Sequence, residues 1–221
     1  MTDARTRNRS ATGGPIITDA TLGSVIKDLF DRLCGEDAQM WFAALKRFLR
    51  KEDPWGKFPA WKVVETGIYA THDDLRTAMT TGDRKITTWA EGLLAEVTLA
   101  TTRQRFELVL VSAAQLCLDK GGTIAQIVAA GKAFGLQLCT AELVGEICKE
   151  HRNQKKGEVL RMAMEPTFVR RADLRVFVMI RAPAAFYVDG YGGRSDDFYD
   201  ANTLWVFCRP IVAESTSAPA E

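Results

Sequence analysis

The chain has 221 residues, of which 47% are hydrophobic and 26% charged, and its 29 basic and 28 acidic side chains leave a net charge of +1. This is enough for one large domain or two small ones with an ordinary core, and it excludes disordered and membrane compositions. The near-zero charge excludes a global pull toward nucleic acid or an anionic membrane, so any such attraction has to be local.

Residues 1–15 carry Arg5, Arg7 and Arg9 among Thr, Asn, Ser and Gly. They read as a disordered basic arm, without the apolar stretch of a secretory signal, and the chain is expected to be cytoplasmic. From Leu22 to Leu33 the apolar positions Leu22, Val25, Ile26, Leu29, Phe30 and Leu33 follow one helical face, and Gly35 ends that helix. A second helix opens near Asp37 with Trp41, Ala44, Leu45 and Phe48 inward, Lys46, Arg47, Arg50 and Lys51 in its last turns, and Pro54 as its stop; the two make a helical hairpin.

WKVVET at 61–66 is β-prone, and Thr71 with Asp74 forms a capping-box pattern that opens a short helix to Gly82. A third helix carries Ile86, Trp89, Leu93 and Leu94, and the run 106–111 reads as a buried strand. After a short helix at 112–118, Thr123 caps a helix through Phe134 with Gly135 at its stop, and Thr140 caps another through Cys148. Beyond Gly157 the period becomes two, with strands at 159–164, 174–181 and 204–209 and a short one at 186–188. Residues 214–221 again lack apolar groups.

The expected fold is therefore α+β, with a helical N-terminal half, a winged-helix-like centre and an antiparallel β C-terminal part. The organisation is a basic arm (1–15), a mainly helical region (16–105), a helix-turn-helix with antiparallel sheet (106–211) and a disordered tail (212–221).

Five stretches, FLRKEDPW at 48–55, THDDLRTAM at 71–79, FGLQLCTAEL at 134–143, GEVLRMAMEP at 157–166 and LWVFCRP at 204–210, stand in a characteristic order. With them the chain resembles a set of small bacterial proteins, common in metagenomic sequence, that share FLRKENPW-, ELGLELCPAEV- and GEWLxIAMEPI-type motifs over roughly residues 45–210. The resemblance implies no activity. The chain departs from the pattern where Thr140 stands for the usual Pro and where LVGEICKEH at 143–151 is more acidic.

The winged-helix order points to duplex DNA, with the helix near 140–151 in the major groove and Lys149, Arg152, Lys155 and Lys156 on phosphates. Segment 121–181 supports this with ten basic and six acidic residues. Against it, Glu142, Glu146 and Glu150 recur every fourth residue as an acidic stripe on the would-be reading helix. The same elements serve a protein-binding or purely structural role equally well.

The aromatic and basic mixture from Trp41 to Lys62 could stack single-stranded bases, though helix-dipole complementation accounts for it. The aspartates Asp189, Asp196, Asp197 and Asp200 lie in an aromatic loop without EF-hand spacing, and segment 182–221 has six acidic residues against two basic ones.

GxSxG, GxxxxGK[ST], HExxH and CxxC patterns are absent, and the two histidines, His72 and His151, have no evident partner. Cys34, Cys117, Cys139, Cys148 and Cys208 read as reduced thiols, and a nucleophile pair of Cys139 with either histidine rests on nothing but residue type. No cofactor or metal is expected. The leading expectation is a non-enzymatic interaction module for protein or nucleic acid, away from membranes; the alternative is an enzyme with a dispersed site, such as the Asp-rich loop with Arg181 or Arg209.

Overall fold

The computed structural model describes residues 19–35, 38–50, 58–169 and 173–211. The expectations for 1–15, for the Pro54 stop and for the tail beyond 211 lie outside them. In chain order the elements are α1 (Asp19–Cys34), α2 (Ala38–Leu49), β1 (Lys62–Thr66), α3 (His72–Met79), β2 (Arg84–Ile86), α4 (Thr88–Ala95), β3 (Gln104–Ser112) and β4 (Gly122–Thr123). They continue with α5 (Ile124–Ala133), α6 (Leu143–Glu150), β5 (Val159–Met162), β6 (Thr167–Val169), β7 (Asp173–Arg181), β8 (Phe186–Gly192), β9 (Phe198–Tyr199) and β10 (Leu204–Pro210).

One mixed sheet organises the chain in the order β1-β3-β10-β5-β7-β8-β2, with β6 also paired to β7 and with β4 and β9 forming a separate ribbon. β10 runs parallel to β5, and β2 parallel to β8; the other pairs are antiparallel. The α+β class is present, but the antiparallel C-terminal part and the helical N-terminal half both need correction. The sheet is mixed, and β1 and β2 enter it from the N-terminal half, so the division at residues 105 and 106 runs through the β1–β3 pairing.

The sheet is covered on both faces, which is why β3 and β10 are apolar at successive positions rather than alternating. Leu108, Val206 and Cys208 pack with α3, α4 and α6, while Val109, Val111, Trp205 and Phe207 pack with α5. At Gly131 of α5 a Cβ would come 2.5 Å from the Phe207 ring, so glycine sets how closely this helix lies on β10.

This two-faced packing overturns the winged-helix centre. Its two helices, α5 and α6, lie on opposite faces of the sheet, one in each core. The connection between them passes from one face to the other as it pairs with the sheet, Gln137 against Cys208 and Cys139 against Met164. A helix-turn-helix needs its two helices packed on each other. Two smaller differences are local: Ile86 belongs to β2, with Thr87 as the N-cap of α4, and 113–117 is a hydrogen-bonded turn rather than a helix.

The acidic stripe of α6 is also explained. Leu143 to Cys148 are all buried, Glu142 and Glu146 among the buried polar residues. Glu142 accepts hydrogen bonds from the backbone N–H of Gly67 (3.0 Å) and Ala100 (2.9 Å), tying two loops to the helix. Glu146 accepts from the Tyr69 hydroxyl and from Lys149 Nζ, both at 2.7 Å. At the other end Arg84 donates to the carbonyls of Cys148 (2.9 Å) and His151 (2.5 Å), where a helix leaves its last carbonyls open and its dipole favours a cation. Among the described residues no helix is long and apolar enough to cross a membrane.

Candidate functional site

β5 alternates across the sheet: Leu160 and Met162 enter the core beneath α6, and Arg161 lies on the face that α5 covers, the one charged residue of this four-residue strand. Its neighbours in register are Trp205 of β10 and Val178 of β7, both buried. The guanidinium stands 4.8 Å from the Tyr199 ring centre and 5.8 Å from that of Tyr191, a cation held against two aromatic rings. Tyr199 meets Trp205 edge-on at 5.2 Å, and its hydroxyl donates to Gly192 O at 2.7 Å. Burial pushes the Tyr199 phenol above its ordinary range.

The 193–203 loop brings Tyr199 here because it is fixed to α5. The Ile124 and Ala125 N–H groups donate to Asp197 O (3.0 Å) and Ser195 O (3.1 Å), satisfying the start of the helix. Thr123 and Gln126 complete a capping box, and Thr123 pairs with Phe198 in the β4–β9 ribbon. Gly121 has φ +83°, and a Cβ there would meet Tyr199 O at 2.2 Å, so only glycine lets the two segments approach.

Beside Arg161 is an open cleft of about 620 Å³ lined by Asp119, Lys120, Glu158, Arg161, Asp200 and Asn202 among others. Asp119 is already engaged by Lys46 at 2.6 Å, and that hydrogen bond holds its carboxyl below the usual carboxylate range. Glu158 is engaged by His151 Nε2 at 2.9 Å. Arg161 and Lys120 have no carboxylate partner among the described residues, and Arg161 Nε, though buried, meets no acceptor. The neighbouring Trp205 is 1% exposed, and its Nε1–H likewise has no acceptor. Buried donors in folded proteins are nearly always satisfied, so these two, like Arg84 Nε on the other face, are exceptions, and of the three only Arg161 lines the cleft.

The four residues expected on DNA are placed differently from one another. Lys149 is tied to Glu146 and stands 5.9 Å over the Tyr69 ring, and Arg152 Nε donates to Lys149 O at 3.2 Å. Lys155 and Lys156 are exposed in the turn that continues into Gly157 and Glu158 of the cleft wall. α6, the expected reading helix, is buried from Leu143 to Cys148 and offers no face to a groove.

The residues named for a dispersed enzyme site do not converge. Arg209 is paired with Glu107 and Arg181 stacks on Phe186 at 4.0 Å. The loop aspartates serve separate partners: Asp189 accepts from Thr87 and Gly190, Asp197 from Arg194 N, and Asp196 from Arg194 Nε, while Asp200 lines the cleft. Among the described residues no three His, Cys, Asp or Glu side chains gather to hold a metal ion.

Arg161 does not stand out from the other basic residues of 121–181 in sequence, because only the folded register sets it beside Trp205 and Tyr199. The available signal was a single charge on the otherwise apolar Val159, Arg161, Ala163 side of a strand. No protein-family model, no curated protein and no solved structure matches the chain, so the functional reading rests on this geometry alone.

Proposed function

We propose that this chain is a non-catalytic binding module that captures the oxyanion of a carboxylate- or phosphate-bearing ligand at Arg161. The observation that carries the reading is the guanidinium itself: it has no carboxylate partner among the described residues, its Nε is buried without an acceptor, and it borders a cleft of small-ligand size. A planar guanidinium presents paired donors that match carboxylate and phosphate oxygens, and aromatic rings on its flank keep it oriented. Of the cleft's three carboxylates, Asp119 and Glu158 are held by Lys46 and His151, which leaves Asp200 against two open cations, Lys120 and Arg161.

Duplex DNA offers the same phosphates, but with α6 buried it would have to be held by Arg152, Lys155 and Lys156 without a reading helix. The test is an NMR titration that follows the Trp205 indole N–H, assigned by Trp205→Phe, with inorganic phosphate in one arm, a dicarboxylate in a second and a DNA duplex in a third. Binding in either small-ligand arm, weakened at least about tenfold in Arg161→Gln and little changed in Lys155→Ala/Lys156→Ala, supports the reading and says which oxyanion is preferred. Equal titration of Arg161→Gln and wild type, or binding to duplex alone, overturns it.

A further inference from the structure

α1 and α2 form a hairpin that leaves large apolar side chains in water. On α1, Leu22, Val25, Ile26 and Phe30 are 50–66% exposed, and on α2 Phe42, Phe48 and Leu49 are exposed to a similar degree. The α1 positions lie on one stripe with Leu29 and Leu33, and the stripe contains no charged residue. α2 turns its buried Ala43 toward α5 and Trp41, Leu45 and Phe48 toward α1. Between the two helices runs a groove of about 770 Å³, lined by the apolar Val25, Leu29, Trp41, Leu45 and Phe48 together with the charged Asp28, Asp31 and Arg32. Two helices alone cannot cover two such stripes.

We infer that a second copy of this chain covers the hairpin, α1 of each copy lying in the groove of the other to make a four-helix interface. Three observations select this occupant. Groove and inserting helix are on the same element, which is the self-complementarity that a two-fold contact requires. The exposed apolar surface of the seven side chains comes to roughly 700 Å² per copy, close to the approximately 800 Å² per partner of a stable interface. Residues 19–50 carry five basic and five acidic side chains, so two hairpins meet without net repulsion and offer nothing to a partner selected by charge. The contact does not involve Arg161, and the hairpin reaches its cleft through the Lys46–Asp119 pair.

The test is sedimentation velocity on the full chain from 1 to 100 µM in reducing buffer, which keeps the exposed Cys34 from cross-linking copies. The expected result is a concentration-dependent species of twice the 24.5 kDa chain mass. Ile26→Glu/Phe30→Glu is expected to be monomeric throughout with an unchanged near-ultraviolet circular dichroism spectrum. Phe30→Ala, which adds no charge, is expected to raise the dimer dissociation constant at least about tenfold. A monomeric wild type at 100 µM, or a dimer that persists in the double-glutamate variant, overturns the inference.

Discussion

The two faces of the sheet differ in how far their buried charges are paired. Beneath α6, Glu142 takes two backbone N–H groups, Glu146 takes Tyr69 and Lys149, and the Arg84 guanidinium closes the helix end. Arg84 Nε is left without an acceptor there, but its two other nitrogens are engaged; on the other face, Arg161 and Trp205 keep buried N–H groups without an acceptor, and Arg161 has no carboxylate partner among the described residues. A paired buried charge holds the chain together, because removing one partner strands the other; an open buried donor costs its desolvation, so replacing it loses little folding energy and it remains for something else to bind.

That contrast can be broken by mutation, and the largest effect belongs to Glu142. Glu142→Ala leaves the Gly67 and Ala100 N–H groups without their acceptor and should cost about 3 kcal/mol in urea unfolding. Arg84→Ala should cost about 2 kcal/mol, since the Cys148 and His151 carbonyls then lose their donor and α6 its terminal cation.

A pH series sharpens the same point. Burial pushes the Cys148 thiol up to about 12 from its ordinary 9.0, and burial, reinforced by the Glu146 hydrogen bond, pushes the Tyr69 phenol upward as well. Their contribution is fully present below the unfolded values and is lost as pH rises toward the folded ones, because the unfolded chain releases protons that the folded chain retains. Between pH 9 and 10.5 the unfolding free energy should fall, and Cys148→Ala should make that slope shallower by up to about 1.4 kcal/mol per pH unit. The smallest effect belongs to the open cation: Arg161→Gln should change stability by less than about 1 kcal/mol while removing ligand binding. A loss as large as that of Glu142→Ala would place Arg161 among the structural charges and end the contrast.

How much of this was legible follows from how local each signal is. The capping boxes of α3 and α5 were readable because Thr71 with Asp74 and Thr123 with Gln126 lie within one turn. β3 was readable from its unbroken apolar run. The placement of α5 and α6 was not, because the nine residues from 134 to 142 serve equally well as a turn between packed helices or as a passage through the sheet. Glu142 and Glu146 looked solvated because their partners, Gly67, Ala100 and Tyr69, lie more than forty residues away. The Arg161 site has the same character: Trp205 and Tyr199 reach it only through the β5–β10 register and the loop anchored on α5. The basic tally over 121–181 counted Arg161 without distinguishing it from exposed neighbours such as Arg152.

The position of β10 has a consequence for how the protein is made. This strand, the last in the described chain, lies between β3 and β5 and supplies side chains to both cores, Val206 and Cys208 to one and Trp205 and Phe207 to the other. Until residues 204–210 leave the ribosome, β3 and β5 present unpaired edges and neither core can close. Folding is therefore deferred until β10 has emerged, and a nascent chain arrested before Leu204 should recruit chaperones or aggregate through those edges.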